Sequence, residues 1–186
     1  MDDSIAQTQR ALQLDPLNLN AMTNLGASYF GARRYDEAIA QLNKVLEVDA
    51  NYAGVHQFLS LVYEAQGKYE LWLDEWEKTA ALNKDADALA VNQAARSEYA
   101  KAGYRAANKR IAEVFQEQSK RVYIDPISIA SAYALCDDKD QAFFWLEKAF
   151  AEKSDLIRIL KTAQTFDSLR TDPRYADLLR RMNIPQ

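Results

Sequence analysis

The chain of 186 residues holds one cysteine, one histidine, four prolines and five glycines. With Cys136 alone, no internal disulfide can form. A reducing compartment fits but is not required. One histidine and one cysteine cannot make a zinc-binding cluster, and no Gly-rich phosphate loop is present. With so few breakers the chain is expected to be mostly helical. It lacks any apolar run of 18 residues, so no segment reads as a membrane span. The N-terminal stretch MDDSIAQTQR is acidic and polar, unlike a signal peptide. A cytoplasmic setting is expected, with a periplasmic one left open if the chain belongs to a membrane-anchored regulator. The net charge of −4 argues against nucleic acid as a partner of this chain. Residues 156–186 carry six Lys/Arg against three Asp/Glu, a mild local excess that reads as a solvated helix face.

What is present is a period. Three stretches, YDEAIAQLNKVL (35–46), YELWLDEWEKTAAL (69–82) and YRAANKRIAEVF (104–115), open on Tyr35, Tyr69 and Tyr104, spaced by 34 and 35. Three residues later come Ala38, Trp72 and Ala107, and four further on the large apolar Leu42, Trp76 and Ile111. A fourth copy, KDQAFFWLEKAF (139–150), has Lys139 for tyrosine but keeps the phase through Ala142, Leu146 and Ala149. The stretches before them (19–30, 55–67, 89–103 and 127–135) are each apolar on one helical face. Each period is therefore a helix pair that cannot bury its stripe alone, and the short turns FGARR, AQGK, KAG and CDDK make the pairs antiparallel hairpins.

Here the chain resembles the tetratricopeptide repeat family. Leu25-Gly26, Tyr29, Ala38, Leu42 and Val45 carry the resemblance in the best copy. Leu59, Tyr63 and Tyr69 carry it in the next, and Ala130, Tyr133, Ala142, Leu146 and Ala149 in the last. It covers roughly residues 2–154 and implies an all-α, right-handed superhelical solenoid of antiparallel helix pairs with C-terminal capping helices. The expected division is one solenoid domain over 1–186: a half repeat at 2–16, repeats at 19–52, 53–86, 88–121 and 123–154, and a cap at 155–186. The half repeat suggests a fragment of a longer protein. The tail does not keep the period, and Asp172-Pro173 reads as an N-cap followed by a first-turn proline, opening a helix over 174–182. The final segments resemble a recurrent ending of bacterial tetratricopeptide proteins that often carry DNA-binding, kinase or cyclase domains. Two departures raise further expectations. Ser60 and Trp72 stand where the family places small residues, which predicts a wider helix pair at 52–82. The connector SKRVYIDP predicts a change of superhelical path near 119–126.

The candidate chemistry is thin. His56 reads as a packed histidine, and Cys136 lies beside carboxylates that disfavour a thiolate. The turn DDKD (137–140) fails as a calcium loop, because Ala142 and Lys148 stand where glycine and glutamate are needed. No metal or cofactor is expected, and no catalysis. Resemblance to the family implies instead a concave groove lined by first helices. Carried onto these positions, the expected contact residues are Asn24, Phe30, Gln57, Phe58, Asn92, Gln93, Arg96 and Tyr99. Asn20, Thr23, Ala27, Leu61, Glu64, Ile127, Ser128 and Ser131 line the same face. Asn24, Asn92 and Arg96 match part of the set that some members use to hold a terminal carboxylate. The lysines of that set are missing, which argues for a moderately polar peptide instead. An empty groove, or one filled by the C-terminal tail, stays open at this level.

Trp72 and Trp76, four apart in WLDEW, read as packing residues rather than a ligand platform. The function expected is a non-catalytic protein–protein interaction scaffold, a fragment of a larger bacterial regulatory protein. Two alternatives are a self-associating structural module, with Ile5, Ala11 and Leu12 on an exposed stacking face, and the regulatory domain of a kinase or cyclase whose catalytic domain lies outside this chain.

Overall fold

The computed structural model describes residues 2–182, with side chains from residue 5 onward. Residues 183–186 of the expected cap lie outside the described residues. The described chain is helical throughout: α1 (Asp2–Leu14), α2 (Leu19–Gly31), α3 (Tyr35–Val48), α4 (Ala53–Ala65), α5 (Tyr69–Leu82), α6 (Ala86–Gln118), α7 (Pro126–Leu135), α8 (Lys139–Ala151), two 3-10 segments (Asp155–Lys161 and Gln164–Leu169) and α9 (Pro173–Arg181). Two compact units divide it at residues 1–89 and 90–186.

The first unit is α1 followed by the hairpins α2–α3 and α4–α5. Its core is the stripe that the period places inward: Met22, Ala38, Leu42, Val45, Val55, Leu59 and Val62, with Leu12, Tyr29, Phe30, Phe58 and Tyr63 packed against it. Each large side chain so buried contributes about 1.5–3 kcal/mol. Two helices can approach only where one presents little side chain. A Cβ added at Gly26 would lie 2.7 Å from Leu42, whose side chain is fully buried and has no room to yield. One period on, the Ser60 hydroxyl donates to the Trp72 carbonyl at 3.0 Å. That bond requires the two backbones to be close, and α4 and α5 pack as extensively as α2 and α3. The expected widening at 52–82 is thus corrected. Serine fits the crossing by bonding to the opposite main chain, while the indole of Trp72 leaves it sideways to stack on Trp76.

The hairpin turns repeat at the level of the main chain. Arg33, Gly67 and Asp137 all adopt left-handed φ of 60°, 72° and 68°. Each is followed by a residue whose N–H reaches back five residues: Arg34 to the Tyr29 carbonyl (2.9 Å), Lys68 to Tyr63 (2.8 Å) and Asp138 to Tyr133 (3.0 Å). This closure satisfies carbonyls that the helix end leaves open. The same left-handed turn recurs after the second helices, at Lys84 and Lys153, both with φ 55°. In the third copy the hairpin is more compressed. Gly67 and Tyr69 are separated by Lys68, whereas Gly103 directly precedes Tyr104. The break inside α6 is accordingly confined to Gly103 (φ 79°, ψ −170°), which separates the helical stretches 86–102 and 104–118.

The second unit continues with α7 and α8. Asp125 caps α7 through the Ile127 N–H (2.9 Å), and Pro126 occupies the first turn as the Asp-Pro pair predicts. Asp172 likewise caps α9 through Arg174 N–H (3.0 Å). The Arg174 side chain beside it holds the Asp172 carboxyl down at about 2. This anchorage is complete above the usual aspartate range and is lost as the pH falls through about 2. The tail has two 3-10 segments where the earlier copies have a first helix, and it is tied to the preceding hairpin by polar side chains. Arg174 bonds Asp140 (2.7 Å) and lies 4.3 Å over the Phe143 ring. Seven residues later Arg181 pairs with Glu147 and lies 5.2 Å over Phe150. Both ion pairs, and the Ser168 hydroxyl to Ala134 carbonyl bond, span 34 residues. The apolar pattern of the second helices is not kept, since Arg180 stands exposed where Leu42, Ile111 and Leu146 are buried.

Two stability changes test this account. Gly26→Ala should destabilise the protein by about 1–3 kcal/mol in urea titration, as overpacking does. Lys84→Gly should raise stability by about 0.5–1 kcal/mol, because the left-handed residue is relieved of its Cβ penalty.

Candidate functional site

The predicted contact residues do not all face outward. In the first unit Asn24 on α2 and Gln57 on α4 are exposed, and these two helices pack side by side. Phe30 and Phe58 are half-buried, with Phe30 6.2 Å from the Tyr35 ring. Leu61, one helical turn beyond Gln57, keeps 38% of its surface in solvent. Asn20 is exposed and accepts a bond from the Tyr52 hydroxyl at 2.6 Å. Thr23 is buried, its hydroxyl donating to the Leu19 carbonyl at 2.7 Å, so it is spent within α2.

In the second unit Gln93 is exposed, and Arg96 and Tyr99 are half-buried. Asn92 is fully buried together with Val91 and Ala95, and Ile127 is buried as well. The assignment of Asn92 to an open contact face is therefore corrected. Successive helical residues are rotated by about 100°, and α6 turns Asn92 inward and its neighbour Gln93 outward. The apolar side of α1 is also turned inward. Ile5 is buried and Leu12 packs on the first core, leaving Ala11, Leu14 and Leu17 exposed. The stacking face that motivated self-association is thus largely consumed by α2.

His56 belongs to a buried ionic cluster. Its Nδ1 lies 2.6 Å from Glu75 Oε2 and its Nε2 3.3 Å from the Ala50 carbonyl. Glu75 Oε1 accepts from Lys78 Nζ at 2.7 Å. The cluster ties α4 to α5 and to the loop before α4. It presents no nucleophile, and both ring nitrogens are engaged. Lys78, on the rim, gives the buried carboxylate a cationic partner. Cys136 bonds the Tyr133 carbonyl at 3.3 Å. Burial, more than the adjacent Asp138, pushes its thiol above the ordinary range, against nucleophilic use. No group of three metal-ligating side chains occurs among the described residues. Nor is any helix among them long and apolar enough to cross a membrane.

The tryptophans divide. Trp72 is buried (5% exposed), with the Tyr69 ring edge-on at 6.5 Å and Trp76 stacked at 6.0 Å. Trp76 is half-buried. The inner indole is a packing group and the outer one shields it.

Helix pairs recurring every 34–35 residues, with one left-handed turn geometry in three of the hairpins, define an all-α helical-repeat protein. The family model described as tetratricopeptide repeat matches residues 2–70. The match spans α1 to the start of α5. No curated protein matches the chain.

Trp72→Ala should cost about 3–5 kcal/mol in chemical denaturation, while Trp76→Ala should cost clearly less because part of its surface is already wet.

Proposed function

We propose that the chain is a non-catalytic protein-interaction module that holds an extended, moderately polar peptide against the exposed sides of its first helices. The observation that carries this reading is the α2–α4 face of the first unit. There the free-standing amides Asn24 and Gln57 adjoin apolar surface from Leu61 and Phe58. Amide side chains offer both a donor and an acceptor, matching the main chain of an extended segment. Half-buried aromatic and leucine surface gains stabilisation when a partner side chain excludes water from it. Gln93, Arg96 and Tyr99 supply the same mixture, with a positive charge added, on the α6 part of the second unit. The tetratricopeptide match supports the reading, since such repeats generally mediate protein–protein interaction. The wider setting we infer is the regulatory part of a larger bacterial protein.

A randomised peptide library selected on the wild-type protein tests this. Selected peptides should bind Asn24→Ala/Gln57→Ala, or Arg96→Ala, at least about tenfold more weakly by fluorescence anisotropy, a difference of about 1.4 kcal/mol, at unchanged melting temperature. Equal affinity for the wild type and all variants would remove the proposed face.

A further inference from the structure

Within the second unit lies an open cleft of about 650 Å³, within the usual size range of small-molecule sites. Its walls are the first turns of the 104–118 helix, the α7–α8 turn and the start of α9. The cleft has a sequence origin. The first two copies place a cation and a tyrosine at this turn, Arg34-Tyr35 and Lys68-Tyr69, with each cation over the preceding helix's tyrosine: Arg34 4.7 Å from the Tyr29 ring, Lys68 5.8 Å from Tyr63. The fourth copy reads Asp138-Lys139. The ring that fills the turn elsewhere is replaced by an ammonium group.

The charges lining the cleft are four cations, Arg105, Lys109, Lys139 and Arg174, and three carboxylates. Every carboxylate is engaged. Asp137 pairs with Arg105 at 3.5 Å, and Asp138 accepts the Gln141 N–H at 3.2 Å. Asp140 accepts from Arg174 at 2.7 Å, and the same arginine also holds Asp172 at 2.8 Å. Among the described residues, Lys109 and Lys139 have no carboxylate within ion-pair distance. Two ammonium groups thus face one polar cleft outside any ion pair, with Lys139 near enough to Asp172 to help hold its carboxyl down and the Asp138 carboxylate bonded only to a main-chain N–H. A carboxylate would supply one negative charge, whereas a phosphate monoester supplies about 1.5–2 on one compact group with three acceptor oxygens.

We infer that this cleft binds a phosphate-type oxyanion, with Lys109 and Lys139 as its charge partners. The guanidinium groups, already held by carboxylates, fix the two walls. The inference rests on the second unit alone and is independent of the peptide-binding reading.

Titration of the full chain with inorganic phosphate, and separately with O-phosphoserine, at constant ionic strength tests it by amide chemical shifts. Saturable shifts confined to residues 104–110 and 136–141, with a dissociation constant of about 1 mM or tighter, are expected. Lys109→Ala/Lys139→Ala should weaken them at least about tenfold, and Lys109→Arg/Lys139→Arg should restore them. Equal binding of both compounds would mark a site that reads the oxyanion alone, and tighter phosphoserine one that reads an esterified group. If the double alanine variant unfolds by circular dichroism, the single Lys109→Gln and Lys139→Gln changes give the comparison. Shifts that do not saturate, or that persist equally in folded lysine variants, would overturn the site.

Discussion

Each helix pair depends on its neighbours to dry its apolar side. A pair of about 13-residue helices carries a stripe on both members, and the hairpin contact covers only part of it. Leu42, Leu59 and Val62 are buried because they meet residues of the preceding or following pair as well as their own. Everything else in the first unit is subordinate to this. The small residue at the crossing, Gly26 or Ser60, lets the helices come close enough to exclude water. The left-handed turn returns the second helix in register. The price of that turn is a disfavoured backbone conformation at Arg33, Lys84, Asp137 and Lys153, accepted because the packing it permits is worth more.

The same constraint decides where recognition can occur. Sides consumed by neighbour packing, including Trp72 and the His56–Glu75 pair, are unavailable. What remains are the outer faces of first helices and the edges where turns lie. The peptide-binding face draws on the former and the cationic cleft of the second unit on the latter. A departure from the repeat therefore carries information in proportion to its position. Trp72 in place of alanine alters only packing, whereas Lys139 in place of tyrosine changes both the shape and the charge of an exposed edge.

Much of this was legible in the sequence. The tyrosine–alanine–leucine spacing located the hairpins, and the two Asp-Pro pairs located the starts of α7 and α9. Three features were not. The inward rotation of Asn92 depends on helix phase, which a single residue two positions from a resemblance cannot fix. The close α4–α5 approach depends on Ser60 bonding to the main chain opposite, a contact that residue size alone does not announce. The docking of the tail is carried by Arg174 and Arg181 reaching Asp140 and Glu147. Long polar side chains stand there in place of the apolar pattern by which the earlier copies are recognised.

Gly103 shows how much of the architecture can rest on one residue's dihedral angles. Space does not demand glycine there, since an added Cβ would meet nothing within 4 Å. The dihedral pair does, since φ 79° with ψ −170° is closed to other residues, unlike the left-handed turns at Arg33 and Lys84. A residue confined to negative φ would let the hydrogen-bond ladder run unbroken from 86 to 118, a straight rod about 50 Å long in place of two separately aimed helices. The second unit thus holds its shape by a local stereochemical veto on helix continuation, one that no amount of apolar patterning on either side could supply.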